Sequence, residues 1–383
     1  ANRLFGNSFL DTLEGGDGDD TLDGGGGADS LVGGAGSDWA SYAANTHGVQ
    51  VDLASGATGL GAAGDTLVGI ENLEGSAEAD TLTGDSGDNS LAGGAGDDLL
   101  NGGAGADLLD GGDGSDTASY AGAASGVTVS LEDGTASGGA AGDTLTGVEN
   151  LVGSDHDDAL FGDSLDNTLI GGAGNDSMNG LGGLNVLYGD AGDDYLNEYG
   201  AATLYGGIGD DSLNVSGAGG VYDGGAGHDR IYYANGQFSQ GILLSLAGED
   251  TATVGGSAAG DVVTGIEDVI ATGFADTLTG DGAANWLQGQ GGNDELSGGA
   301  GDDSLDGGFG DDTLLGGDGD DIFRLVSGAD NIDGGAGTDR VSYEWYGGDA
   351  AVSVDLSTGI VGGEAVGGSI ANVEDVEGNY FGD

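Results

Sequence analysis

The stretch GGDGDDTLD, Gly15–Asp23, packs three glycines, four aspartates and one leucine into nine residues. A lone segment of this kind repels itself and has almost nothing to bury. It is not alone. From Gly6 the chain reads GNSFLDTLE, GGDGDDTLD, GGGGADSLV and GGAGSDWAS, consecutive units of nine. With seats numbered from the first residue of each unit, Asp fills seat six (Asp11, Asp20, Asp29, Asp38). An apolar residue fills seat eight (Leu13, Leu22, Leu31, Ala40). The frame returns at Gly75 with Asp80, Asp98, Asp107 and Asp116. It returns at Gly153 with Asp158, Asp176, Asp194, Asp211 and Asp229. Its last block starts near Ala271 and carries Asp276, Asp294, Asp303, Asp312, Asp321, Asp330 and Asp339. Thirteen units keep the strict form G-G-x-G-x-D. Such a period marks a stacked architecture.

Residue types say what each unit does. Six glycine-rich residues make a tight turn, because glycine takes positive φ without steric cost. The last three, x-U-x, make a very short strand with one apolar side chain pointing inward. Two turn-strand units complete a circle, and stacked circles give an all-β parallel solenoid. Each seat-six row then becomes a column of like charges about 4.8 Å apart. Such a column needs cations. Ca²⁺ suits it, since it takes carboxylate and carbonyl oxygens in flexible geometry, whereas Mg²⁺ demands an octahedron and holds its waters.

Composition agrees. The 383 residues include 91 Gly, no Pro and no Cys, with 68 acidic residues against four basic ones (Arg3, Arg230, Arg324, Arg340) and a formal charge of −64. Nucleic acid and anionic membranes are excluded as partners, because both need a basic patch. Disorder is the competing reading of such a charge, and the regular leucines argue against it. Without cysteine there is neither a disulfide framework nor a thiolate zinc site. No apolar run reaches the roughly 18 residues of a membrane span, and ANRLFGNSFL lacks the regions of a signal peptide.

On the motif GGxGxDxUx the chain resembles the RTX (repeats-in-toxin) family with its calcium-binding nonapeptides, a signature known among repeat proteins. The resemblance implies a right-handed parallel β-roll in which Ca²⁺ lies between loop i and loop i+2. Seat-six carboxylates and glycine-loop carbonyls bind it. Carried over, this pairs Asp20 with Asp38, Asp98 with Asp116, Asp211 with Asp229, Asp294 with Asp312, Asp303 with Asp321, and Asp321 with Asp339. Asp11 with Asp29, and Asp176 with Asp194, have less regular loops; Asp107 belongs to the same set. The implied carbonyl donors are Gly16, Gly18, Gly34, Gly36, Gly94, Gly96, Gly112, Gly114, Gly299, Gly301, Gly308, Gly310, Gly317 and Gly319.

Departures from the pattern are equally readable. Asn holds seat six at Asn89, Asn167, Asn285 and Asn185, and the first three come with Asp at seat two (Asp85, Asp163, Asp281). Asn brings no charge, so bracing of the turn by hydrogen bonds competes with ligation as its role. The segments EYGAATLY (Glu198–Tyr205) and VSGAGGVYD (Val215–Asp223) lack the seat-six carboxylate, and no regular site is expected there.

A longer repeat separates the blocks. Each array ends in a tyrosine (Tyr42, Tyr120, Tyr233, Tyr343) and continues into alternating strands: VQVDL, VTVSL, ILLSL and VSVDL. Each insert closes on a related phrase, GIENLEG, GVENLVG, GIEDVIA or ANVEDVEG. This puts Glu71, Glu149, Glu267 and Glu374 in seat six of one degenerate unit. Those glutamates are read as structural, because the glycines are missing. The chain is therefore expected to be one continuous stack. Repeat blocks cover 1–41, 75–119, 153–232 and 271–342, and wider inserted coils cover 42–74, 120–152 and 233–270. The remainder, 343–383, is an insert and the start of a further block. Both ends stop inside a repeat, as in a fragment of a longer protein.

No catalytic constellation emerges. His47, His156 and His228 are scattered, and carboxylate pairs are too common here to specify an acid and a base. Trp39, Trp286 and Trp345 read as packing or surface residues, and the seat-seven rank (Thr12, Thr21, Ser30, Trp39) is too broken for an ice-binding face. The expectation is a non-enzymatic, calcium-folded structural scaffold of an adhesin or surface layer, secreted or at a bacterial cell surface. The family resemblance adds type I secretion. Calcium ions, cell-surface polysaccharide and other copies of the chain are its candidate partners. An accessory module of a secreted enzyme or toxin is the alternative.

Overall fold

The computed structural model describes residues 1–233, 238–247, 253–343, 353–362 and 368–377. These residues form strands and turns and no helix, so none is long and apolar enough to cross a membrane. Val352, Trp345 and the final GNYFGD lie outside the described residues. The chain divides into two compact units, 1–191 and 192–383. Each is a parallel β-solenoid.

Register follows the nonapeptide taken twice. In the first unit Thr12–Asp17 pairs in parallel with Ser30–Ala35, setting Leu13 against Leu31 and Gly16 against Gly34. Ser90–Ala95 pairs with Leu108–Asp113 and sets Leu91 against Leu109. In the second, Glu295–Ala300 pairs with Thr313–Asp318, and that strand pairs with Asn331–Ala336. Identical seats eighteen residues apart therefore stack, and alternate units lie on opposite faces of the coil. Seat eight forms the core: Leu22, Leu31, Leu82, Leu100, Leu169, Leu213, Leu287 and Leu314 are fully buried. Not every strand stops at x-U-x. Many on one face run six residues, such as Thr12–Asp17, because the stacked glycines after seat nine also pair.

Glycines at seats two and four carry the turn. Gly34 and Gly36 have φ of +119° and +150°, and Gly317 and Gly319 have +119° and +147°. A side chain there would be strained and would also collide with the coil below: a Cβ on Gly34 would lie 2.1 Å from the Gly16 carbonyl oxygen.

The inserts are built differently from a simple wide coil. Val49–Asp52 pairs antiparallel with Ala57–Leu60 and parallel with Thr81–Thr83, so a hairpin opens the next stack. Val127–Ser130 does the same with Thr135–Gly138 and Ala159–Phe161, and Ile242–Ser245 with Thr253–Gly256 and Thr277–Thr279. Val49, Val51, Val127, Val129, Ile242 and Leu244 face the core, as their alternation requires. Each of the first three inserts also rejoins through two degenerate units instead of the single expected one. Thr66–Val68 continues the strand Ser30–Ala35, while Asn72–Glu74 continues Trp39–Ser41. Between them lies only Gly69-Ile70-Glu71, with Gly69 at φ +59°. A three-residue turn replaces the six-residue loop, which is why counting by nine finds one unit and misses the other.

Candidate metal centre

Seat six is held by a backbone ladder. The N–H of Asp20 donates to Oδ1 of Asp38 at 2.7 Å, that of Asp98 to Asp116 at 2.8 Å, and that of Asp303 to Asp321 at 2.9 Å. The same bond joins Asp294 to Asp312, Asp321 to Asp339 and Asp211 to Asp229. The pairs assigned from the sequence are thus brought together, with one carboxylate oxygen already used. The other oxygen decides the chemistry. Oδ2 is buried and accepts no hydrogen bond at Asp20, Asp29, Asp38, Asp98, Asp107 and Asp116. The same holds at Asp211, Asp229, Asp294, Asp303, Asp312, Asp321 and Asp339. Buried carboxylate oxygens without a donor are costly, and a cation removes that cost.

The surroundings fit Ca²⁺. A Cβ on Gly15 would sit 2.5 Å from Asp20 Oδ2 and 2.7 Å from the Gly33 carbonyl oxygen. On Gly316 it would sit 2.2 Å from Asp321 Oδ2 and 2.4 Å from the Gly334 oxygen. Glycine at seat one leaves the space in which carboxylate and carbonyl oxygens meet. Among the described residues no three acidic or histidine side chains converge. The donors on offer are therefore one or two carboxylates supplemented by backbone oxygens, a hard all-oxygen set.

Electrostatics points the same way. Burial, aided by neighbouring aspartates, pushes the carboxyls of Asp98, Asp229, Asp294 and Asp303 up to about 7, and that of Asp211 to about 6. Asp107, Asp116, Asp312, Asp321 and Asp339 are raised for the same first cause.

Other seat-six groups are satisfied by protein. At the start of the last three blocks Asp80 accepts from the Ser76 N–H and hydroxyl and from the Val49 N–H. Ser154 serves Asp158 likewise, and Thr272 serves Asp276. Asp11 is engaged by the backbone and side chain of Asn7. Asp176 and Asp194 belong instead with the ladder residues: the Asp158 N–H donates to Asp176 Oδ1, and the Asp194 N–H to Asp211 Oδ1.

Columns also end on protein donors. Asp65, Asp143 and Asp261, which the nonapeptide frame does not register, occupy seat six of the second degenerate unit. Asp65 accepts from the Asp29 N–H at 2.7 Å and from the Tyr42 hydroxyl at 3.2 Å; Asp143 accepts from Asp107. Asp261 accepts from Gly219, Gly220 and Tyr233. The repeated phrase G-D-T-L (G-D-V-V at 260–263) was the available signal, since it copies the regular D-T-L. On the opposite face Glu71, Glu149, Glu267 and Glu374 accept the N–H of Asp38, Asp116, Asp229 and Asp339. This is the structural role expected of them. The longer side chain spans what the shortened turn leaves open.

The asparagines brace rather than repeat the carboxylate. Asn89 accepts from the Asp85 N–H and donates Nδ2–H to the Glu71 carbonyl at 2.7 Å; Asn167 and Asn285 donate to Glu149 and Glu267 at 2.9 Å. Asp85, Asp163 and Asp281 cap their own turns. Restoring the consensus by Asn285→Asp is therefore expected to destabilise the calcium-loaded protein by about 1–3 kcal/mol, because a carboxylate cannot donate to the Glu267 carbonyl. Urea unfolding in saturating calcium measures this, and equal or higher stability would contradict it.

Seat five, read as variable, forms a second ladder. Asp19 accepts the Ser37 N–H, Asp97 that of Ser115, Asp302 that of Asp320, and Asp320 that of Thr338. His228 ends one such ladder on Asp210, and its ring meets Asp268. Arg230 pairs with the same Asp268 at 2.6 Å and lies over the Trp286 ring at 4.4 Å. Where Arg stands at seat seven the insert has Asp, as with Arg340 and Asp375; elsewhere it has Asn72 or Asn150.

The family model of the RTX calcium-binding nonapeptide repeat matches residues 5–40, 65–100, 83–118, 161–196, 199–218, 263–296, 270–305, 288–323 and 315–344. Together these matches cover more than half of the chain. The chain belongs to the RTX calcium-binding repeat family. Comparison with individual curated proteins gives no match. RTX repeats bind calcium, and the β-roll expected from the resemblance agrees with the parallel solenoid found here. Within this RTX array, the distinction between carboxylates with an open Oδ2 and those capped by Ser, Thr, Tyr or Asn belongs to the individual coils.

Proposed function

We propose that this chain is a secreted, calcium-folded scaffold of a bacterial surface or extracellular protein, without catalysis of its own. The observation that carries the calcium dependence is the set of buried seat-six Oδ2 atoms without a donor. Asp20, Asp29, Asp38, Asp98, Asp107, Asp116, Asp211, Asp229, Asp294, Asp303, Asp312, Asp321 and Asp339 are the proposed carboxylate ligands. Carbonyl oxygens of the seat-one glycines beside Oδ2, such as Gly33 and Gly334, are proposed to join the loop glycines assigned from the sequence. Asp176 and Asp194 stand in the same ladder and are proposed with them.

Calcium would do two things: neutralise the columns and satisfy their open oxygens. Folding is then coupled to binding. A chain of net charge −64 stays unfolded where calcium is scarce and folds where it is plentiful, which suits export in an unfolded state by a type I route. The scaffold reading rests on two parallel solenoid units built of short strands.

Far-ultraviolet circular dichroism of the full chain at pH 7.5 tests the coupling. A β spectrum is expected in millimolar calcium and a coil spectrum in excess chelator. A β spectrum indifferent to chelator would sink the proposal.

A further inference from the structure

The two units without a seat-six carboxylate are absorbed by no calcium site, and they build something else. In the regular loops seat one is glycine. Here Glu198, Val215 and Tyr233 occupy it in successive coils, all three buried, so the strands Tyr195–Glu198 and Ser212–Val215 run one residue further inward. The turns after them and the third insert flank an open cleft of about 440 Å³. Its walls carry Tyr199, Ser216, Phe238, Ser239, Gln240 and Ser257, with small residues between.

In a molecule of charge −64, the described residues of this lining include no acidic and no basic side chain. Among the described residues a metal finds no carboxylate in this lining, and an anion no cation. What the cleft does offer is two aromatic rings and a fringe of hydroxyl and amide groups. Phe238 is fixed by its ring contact with buried Tyr233, with centroids 5.7 Å apart. The Tyr199 backbone is tied to the Glu198 carboxylate at 2.9 Å. The Ser216 and Ser257 hydroxyls donate to the Glu198 and Gln240 carbonyls, and Ser257 Oγ also accepts the Gln240 N–H, so each serine oxygen keeps a lone pair for a ligand donor. The Gln240 amide has both donors and an acceptor. The volume lies within the range of small-molecule pockets.

A ligand matching this lining is uncharged, rich in hydroxyls and apolar on one face. We propose that the cleft binds a neutral hexose unit of a glycan, stacked on Tyr199 or Phe238 and hydrogen-bonded by Gln240 and the serines.

Saturation-transfer difference NMR and titration calorimetry on the calcium-loaded full chain test this. The probes are methyl β-glucoside, methyl β-galactoside, methyl α-mannoside and, as a charged control, glucuronate. At least one neutral glycoside is expected to bind through its ring protons, and glucuronate is not. Tyr199→Ala and Gln240→Ala, both at exposed positions, should each weaken binding at least about tenfold, a loss of ~1.4 kcal/mol. Tyr199→Phe should keep it, and the calcium-induced β spectrum should be unchanged in all three. The proposal fails if none of the three neutral glycosides binds, if binding survives both alanine variants, or if glucuronate binds as well.

Discussion

Asp303→Asn is expected to remove at least one bound calcium from the full chain and to weaken calcium affinity at its coil on the order of tenfold or more. The substitution is chosen for what it preserves. Asn keeps an oxygen to accept the Asn285 N–H, and its own N–H still donates to Asp321 Oδ1. Only Oδ2 changes, from a buried oxygen without a donor to an amide that can itself donate. Asn89, Asn167 and Asn285 already use that arrangement, so the fold tolerates it. The companion variant Asp276→Asn carries the same chemical change at a block head, where Thr272 and Ile242 satisfy the carboxylate. It should cost some stability and leave the number of calcium ions unchanged. Equilibrium dialysis at saturating calcium counts the ions directly. An unchanged count in Asp303→Asn, or an equal loss in both variants, contradicts the assignment of metal to the open oxygens.

That contrast marks the limit of what was legible in the sequence. The coil was readable because its determinants are local: Leu22 and Leu31 repeat at seat eight, and Gly34 and Gly36 stand where only positive φ closes the turn. The seat-six pairs were readable because stacking turns an eighteen-residue separation into adjacency. Which aspartates are already satisfied was not, since Ser76, Ser154 and Thr272 differ from ordinary loop residues only once folded beside Asp80, Asp158 and Asp276. The tyrosines ending each block were visible in the sequence, and all four are buried. Their partners Asp65 and Asp261 stand more than twenty residues away, in units that break the period of nine. The antiparallel hairpins were hidden for a related reason: alternation in VQVDL or VTVSL specifies a half-buried strand and is silent about its direction.

The protonation of the columns gives the second large expectation. In chelator, acidification from pH 8 towards pH 5 should restore β structure to a chain that is unfolded at neutral pH. The sign follows from the direction of the shifts. Burial raises the carboxyls of Asp98, Asp229, Asp294 and Asp303 to about 7, against about 4 in an unfolded chain. Between those values the folded state holds protons that the unfolded state has released, so stability rises as pH falls through the window. The contribution is fully present below the unfolded value and is lost as pH climbs past 7. Around Asp303 the neighbours Asp321, Asp281 and Asp302 are all acidic, so each proton bound also relieves its surroundings. A proton and a calcium ion answer the same need at the same oxygen. In saturating calcium at pH 7.5 the β signal should therefore already be complete, with no gain on mild acidification, while calcium affinity should drop as pH falls below 7. Circular dichroism across pH, with and without calcium, reads both arms. A calcium-free signal that stays flat or declines between pH 8 and pH 5 would show that the columns are not what keeps the chain unfolded.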